Sequence, residues 1–143
     1  MRLVLFCLTI LAGLVSCKKD YVDINSFWQC SKSMNLDTGE ISNKLIGSWT
    51  LSEQACGDYG EFKKVYKNIK VTFNNDYSFS VKENFDTRSQ GTWKLKQLDG
   101  NSWGLDLSST TEYLNGRILF CDSRLLFNDS YRDACDNLFK KGN

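Results

Sequence analysis

The side chains best equipped for chemistry in this 143-residue chain are six cysteines, and no histidine stands beside them. A redox pair wants the spacing Cys-x-x-Cys, and positions 7, 17, 30, 56, 121 and 135 never come that close. Without histidine the chain lacks the commonest general base, the usual third member of a nucleophilic triad and the commonest nitrogen ligand for a metal. A Gly-x-Ser-x-Gly elbow, a phosphate loop and a clustered metal-ligand pattern are missing too. Carboxylates are plentiful, with 17 Asp and Glu, but nothing in their spacing brings a pair to one point. The expectation is therefore no catalytic residue, no metal and no cofactor. Eighteen basic against 17 acidic side chains give no basic face, so nucleic acid is not an expected partner.

The N-terminus carries an address. Arg2 precedes an uncharged apolar run from Leu3 to Val15. A membrane-crossing helix needs ~20 such residues, so this shorter run reads as the h-region of a secretory signal peptide with Arg2 as its positive start. The run ends Leu14-Val15-Ser16-Cys17, which resembles the lipobox of bacterial lipoproteins. That resemblance implies cleavage after Ser16, a diacylglycerol thioether on Cys17 and an acyl chain such as palmitate on the new amino group. Several acyl chains at ~0.8 kcal/mol per buried CH₂ make a stable membrane anchor. Cysteine arithmetic agrees: the cut discards Cys7, and lipidation of Cys17 leaves Cys30, Cys56, Cys121 and Cys135. An even set suits two disulfides in an oxidising compartment. Lys18 stands where an aspartate would favour inner-membrane retention, which points to the outer membrane of a Gram-negative cell envelope.

The chain thus divides into three regions: residues 1–16 as signal peptide, 17–44 as lipidated tether, and 45–143 as the folded domain. The tether is polar, yet Phe27, Trp28 and Cys30 mark its second half for docking on the domain, and Asp37-Thr38-Gly39-Glu40 reads as a turn. Beyond Lys44 the pattern becomes period two. Gly47, Trp49 and Leu51 share one face, as do Ile69, Val71 and Phe73, and Asn74-Asn75-Asp76 then signals a hairpin into Tyr77, Phe79 and Val81. Further strands are expected at 91–96, 103–108, 114–120, 124–127 and 137–141. An excursion from Glu53 to Lys67, with a helical turn around Phe62 to Tyr66, separates the first strand from the second. Eight short strands without crossover helices argue an antiparallel meander, and closure into an all-β, eight-stranded up-and-down barrel removes its edges. A sandwich of two four-stranded sheets is the alternative.

Leu45-Ile46-Gly47-Ser48-Trp49 resembles the opening motif of the lipocalins, in which the tryptophan plugs the closed end of the barrel. With Val71-Thr72-Phe73-Asn74-Asn75-Asp76-Tyr77-Ser78-Phe79, Gly91-Thr92-Trp93-Lys94-Leu95, Arg124-Leu125-Leu126-Phe127 and Asn137-Leu138-Phe139-Lys140-Lys141, residues 45–141 resemble the lipocalin-like domains of small bacterial lipoproteins. Lipocalins stack an arginine over that tryptophan, and only Lys140 or Lys141 is placed to do so here. In such a barrel the eighth strand lies beside the first. Cys56 and Cys135 then fall at one end, and Cys30 and Cys121 at the other, so the pairs are Cys56–Cys135 and Cys30–Cys121.

Trp49, Phe73, Tyr77, Phe79, Trp93 and Trp103, with Leu95 and Leu105, occupy positions that a barrel turns inward. They could line a pocket for a small hydrophobic ligand or fill the barrel, and strands of only ~5–7 residues favour filling. Two functions are expected of such a membrane-anchored lipoprotein. One is a non-enzymatic binding module for a small hydrophobic ligand. The alternative is an envelope protein-interaction or inhibitor module with a filled barrel, acting through loops 53–67 and 84–90.

Overall fold

The computed structural model describes residues 23–57 and 61–142; residues 1–16, expected to be a signal peptide, and Cys17 and Lys18 lie outside them. Two helices, α1 (Ile24–Ser33) and α2 (Thr38–Leu45), precede nine strands: β1 (Gly47–Cys56), β2 (Lys63–Lys64), β3 (Ile69–Phe73), β4 (Ser78–Glu83), β5 (Asp86–Gln97), β6 (Trp103–Leu107), β7 (Arg117–Cys121), β8 (Arg124–Asn128) and β9 (Cys135–Lys141). Eight of them run β6-β5-β4-β3-β1-β9-β8-β7, every neighbour antiparallel. This is the expected up-and-down meander, with the last strand beside the first. Among the described residues no ladder joins β6 to β7, so the barrel is nearly closed.

Alternation decides most of the strands. Ile69, Val71 and Phe73 are buried between exposed Lys70 and half-buried Thr72, and Phe79 and Val81 repeat the pattern on β4. In β7 and β8 the apolar residues instead run on without a break, and in β9 burial is unbroken from Asp136 to Phe139, because both faces are covered. Leu125, Phe127 and Phe139 point into the barrel core. Leu119, Leu126 and Leu138 lie on the outer face beneath Phe27 of α1.

The docked half of the tether is helical. Asp23 caps α1 by accepting from the backbone N–H groups of Asn25 and Ser26. The turn expected at residues 37–40 is instead the start of α2. The Glu40 N–H donates to Asp37 Oδ1 (2.8 Å) and the Asp37 N–H to Glu40 Oε2 (2.9 Å). That reciprocal pair is a capping box, which satisfies two donors that a helix start otherwise leaves orphaned.

The excursion after β1 differs too. No helical turn forms at 62–66. β1 runs on to Cys56 beyond its last pairing with β3, Thr50 with Lys70, and the returning chain takes the vacant edge: Lys64 pairs with Glu53 and Lys63 with Gln54. A bulge between Leu51 and Glu53 adds one residue and so reverses the facing of the rest of the strand. Glu53 is thereby turned out, and Gln54 is turned in toward Asn137. The seventh strand starts at Arg117, three residues later than expected, because Gly116 turns the chain at φ 90°. The Asn128 carbonyl there occupies the space a Cβ would need.

Candidate functional site

Both expected disulfides are present, Cys30–Cys121 and Cys56–Cys135. They mark the two ends of the barrel. At one end Trp49 is buried, its indole N–H donating to the Leu45 carbonyl at 2.7 Å. Ile41 and Leu45 of α2 join the barrel core there. The Lys141 ammonium stands 5.1 Å from the Trp49 ring centre, the place expected for Lys140 or Lys141. Gly47 opens β1 with φ 121° and packs 3.5 Å from Lys141 Cε by the position its Cβ would take.

Between the ends, rings meet rings. Phe73 and Trp93 lie edge to face at 5.6 Å, Phe127 and Phe139 at 5.9 Å, and Trp49 and Phe120 tilt together at 6.1 Å. Phe79 is buried with them. Leu95, Trp103 and Leu105 are only partly buried, since they belong to the β5–β6 hairpin beside the unjoined seam. Tyr77 corrects the alternation: it sits in the turn before β4 with φ 61° and is 57% exposed. Its ring still leans on Trp93 at 5.2 Å. The indole N–H of Trp93 is buried and has no acceptor among the described residues.

The opposite end, here the rim, is stopped by polar groups and a lid. Asn137 is fully buried and accepts from Gln54 Nε2 at 2.7 Å, and Tyr113 and Leu114 from the β6–β7 connection join the core. Beside Tyr113 an open depression of about 570 Å³ is lined by Glu83, Arg88, Ser89, Thr110 and Glu112 among others. The Lys67 ammonium, 3.1 Å away, and then Arg88 at 3.2 Å hold the Glu83 carboxyl below the usual glutamate range. Burial, and then the neighbouring Glu112, push the Tyr113 phenol up to about 12.

Sequence reasoning missed one buried cluster. The Asp136 carboxylate is buried and accepts from the Asn128 side chain at 3.0 Å, from the Asp129 and Ser130 N–H groups at 2.7 and 2.8 Å, and from Ser130 Oγ at 3.0 Å. It holds the β8–β9 connection next to Cys135. A carboxylate so enclosed is a structural anchor, and the sequence marks it only as the first of two adjacent polar residues, Asp136 and Asn137, that follow Cys135 at the start of the last strand. The sulfurs of Cys30 and Cys121 lie beside the Asp122 carboxylate, but joined sulfurs are not the thiolates a metal requires. No helix among the described residues is long and apolar enough to cross a membrane. No protein-family model matches the chain, and neither a curated protein nor a solved structure matches it.

Proposed function

We propose that this chain is a lipoprotein of the Gram-negative cell envelope: cut after Ser16, held at the outer membrane by lipid on Cys17, and presenting a small lipocalin-like, non-enzymatic barrel behind a short tether. Its barrel is a scaffold and acts through its rim as an interaction or inhibitor module. One observation carries this reading. The lumen is stopped by α2 and Trp49 at one end, by Tyr113, Leu114 and the Gln54–Asn137 pair at the other, and is crossed by touching rings between them. The two disulfides support an oxidising compartment outside the cytoplasm.

A small hydrophobic ligand in the barrel is the second reading, and Trp93 favours it. A ligand oxygen would satisfy its orphaned indole N–H. Native mass spectrometry of protein purified from its host separates the two. The first reading expects the polypeptide and its lipid alone. A retained small molecule that disappears in Trp93→Phe would replace it with the second. The same spectrum tests the anchor, which an unmodified Cys17 or a retained Met1 would refute.

A further inference from the structure

We propose that the rim is also a membrane-contacting face, where Phe85 and Tyr66 enter the interfacial layer of an anionic bilayer and the lysines around them meet lipid phosphates. The geometry of this contact rests on the proposed anchor at Cys17, while the chemistry comes from the rim itself.

Asn84 and Phe85 form the two-residue turn between β4 and β5, both in the left-handed region with φ 49° and 75°. Such a turn wants Asn-Gly. Here a phenylalanine occupies the glycine position and is 85% exposed, so the residue gains nothing from its own fold. Tyr66, 90% exposed, stands on the adjoining loop. The two loops are tied together by the Asn84 N–H donating to the Asn68 carbonyl (2.9 Å) and the Asn68 N–H to Asn84 Oδ1 (3.3 Å). Phe85 and Tyr66 thus stand on two joined loops, with the Lys64 ammonium 5.6 Å from the centre of the Tyr66 ring.

Acids stand at this end too, Glu53, Asp86 and Glu112 among them, so the positive charge is concentrated on one strand pair. Exposed Lys70 and Lys82 face each other directly across the β3–β4 ladder, a like-charge pairing that is unfavourable without an anion between them. Lys63 and Lys64 are exposed on β2, Lys64 opposite Glu53 and Lys63 opposite Gln54. Glu83 does not offset these lysines, because it already bridges Lys67 and Arg88. Aromatic rings with flanking lysines suit a lipid headgroup layer, where the ring is half immersed and the ammonium reaches phosphate. A bilayer also accepts rings on a convex tip without the shaped pocket that a protein partner must supply. Reach decides the rest. Only residues 18–22 separate Cys17 from the N-cap Asp23, so the extended chain spans at most roughly 20 Å. A lipid on Cys17 therefore holds the barrel against the bilayer at high effective concentration.

The test uses the full chain carrying Cys17→Ser, which cannot take the lipid. Its binding to vesicles of phosphatidylethanolamine with a minor share of phosphatidylglycerol, and to phosphatidylcholine vesicles, is read by co-sedimentation. Phe85→Ser with Tyr66→Ser should lower binding to the anionic vesicles by about tenfold or more. Lys70→Glu with Lys82→Glu should do so on the anionic vesicles and not on phosphatidylcholine. A cooperative melt in circular dichroism certifies that each variant is folded. Equal binding by parent and aromatic variant would overturn the proposal, since the apolar run 3–15 would then account for it. A parent dimer that Phe85→Ser splits would assign the tip to a second copy. Loss of host phenotype in Phe85→Ser without loss of vesicle binding would assign it to a protein partner. The mass on Cys17 judges the anchor separately.

Discussion

At the scale of the residue, Phe85 and Tyr113 make opposite compromises. Holding a side chain in the left-handed region costs ~1–2 kcal/mol, and Phe85 meets that cost while almost wholly exposed. Phe85→Gly should therefore stabilise the protein by about 1 kcal/mol, part of it offset by the freer unfolded chain, as a higher urea midpoint at unchanged slope. Tyr113 is the buried counterpart. Its phenol ionises at about 12 in the folded protein against an ordinary 10. A group whose folded value is raised contributes stability that is complete below the unfolded value and lost as pH climbs through the folded one. Stability should thus fall between pH 10 and 12, and a tyrosinate absorbance step near pH 12 should vanish in Tyr113→Phe. Tyr77 shows why such detail resists sequence reading. It keeps the strand's alternation with Phe79 and Val81, yet a single left-handed φ places it in the turn.

At the scale of the element, the helices were harder to see than the strands. Asp37-x-x-Glu40 before Ile41 and Leu45 is a capping signature, but Gly39 and a polar flank give it the look of a turn. Asp37→Ala should cost about 1 kcal/mol, measured as a lower thermal midpoint, with the spectrum of the folded state retained. The strands were legible because one-sided burial writes itself as period two, and Ile69–Phe73 and its hairpin partner are the cleanest examples. The unbroken apolar runs of β7 and β8 carried a further message, that something covers their outer face. That cover is α1, tied to β7 by a disulfide and by the Phe120 N–H donating to Ser31 Oγ at 3.2 Å. The β2 return could not be anticipated, since Lys63 and Lys64 have little strand propensity. They pair only because β1 outruns β3.

At the scale of the molecule, the barrel topology made the cysteine pairing legible: three pairings were open to four cysteines, and placing the last strand beside the first selected the two observed. What remained illegible was whether the lumen is full, because that depends on side-chain volumes meeting across strands distant in sequence. The two disulfides, spanning 91 and 79 residues, have a common property. Each joins a cysteine at or before position 56 to one at or after position 121, so any single peptide bond broken between those positions is straddled by both. A protease that nicks the loop after Cys56, or the Phe85 turn, should leave two fragments that migrate as one chain until they are reduced. If the N-terminal fragment bears the lipid, the cleaved rim would stay at the membrane surface: a molecule built to outlast a cut.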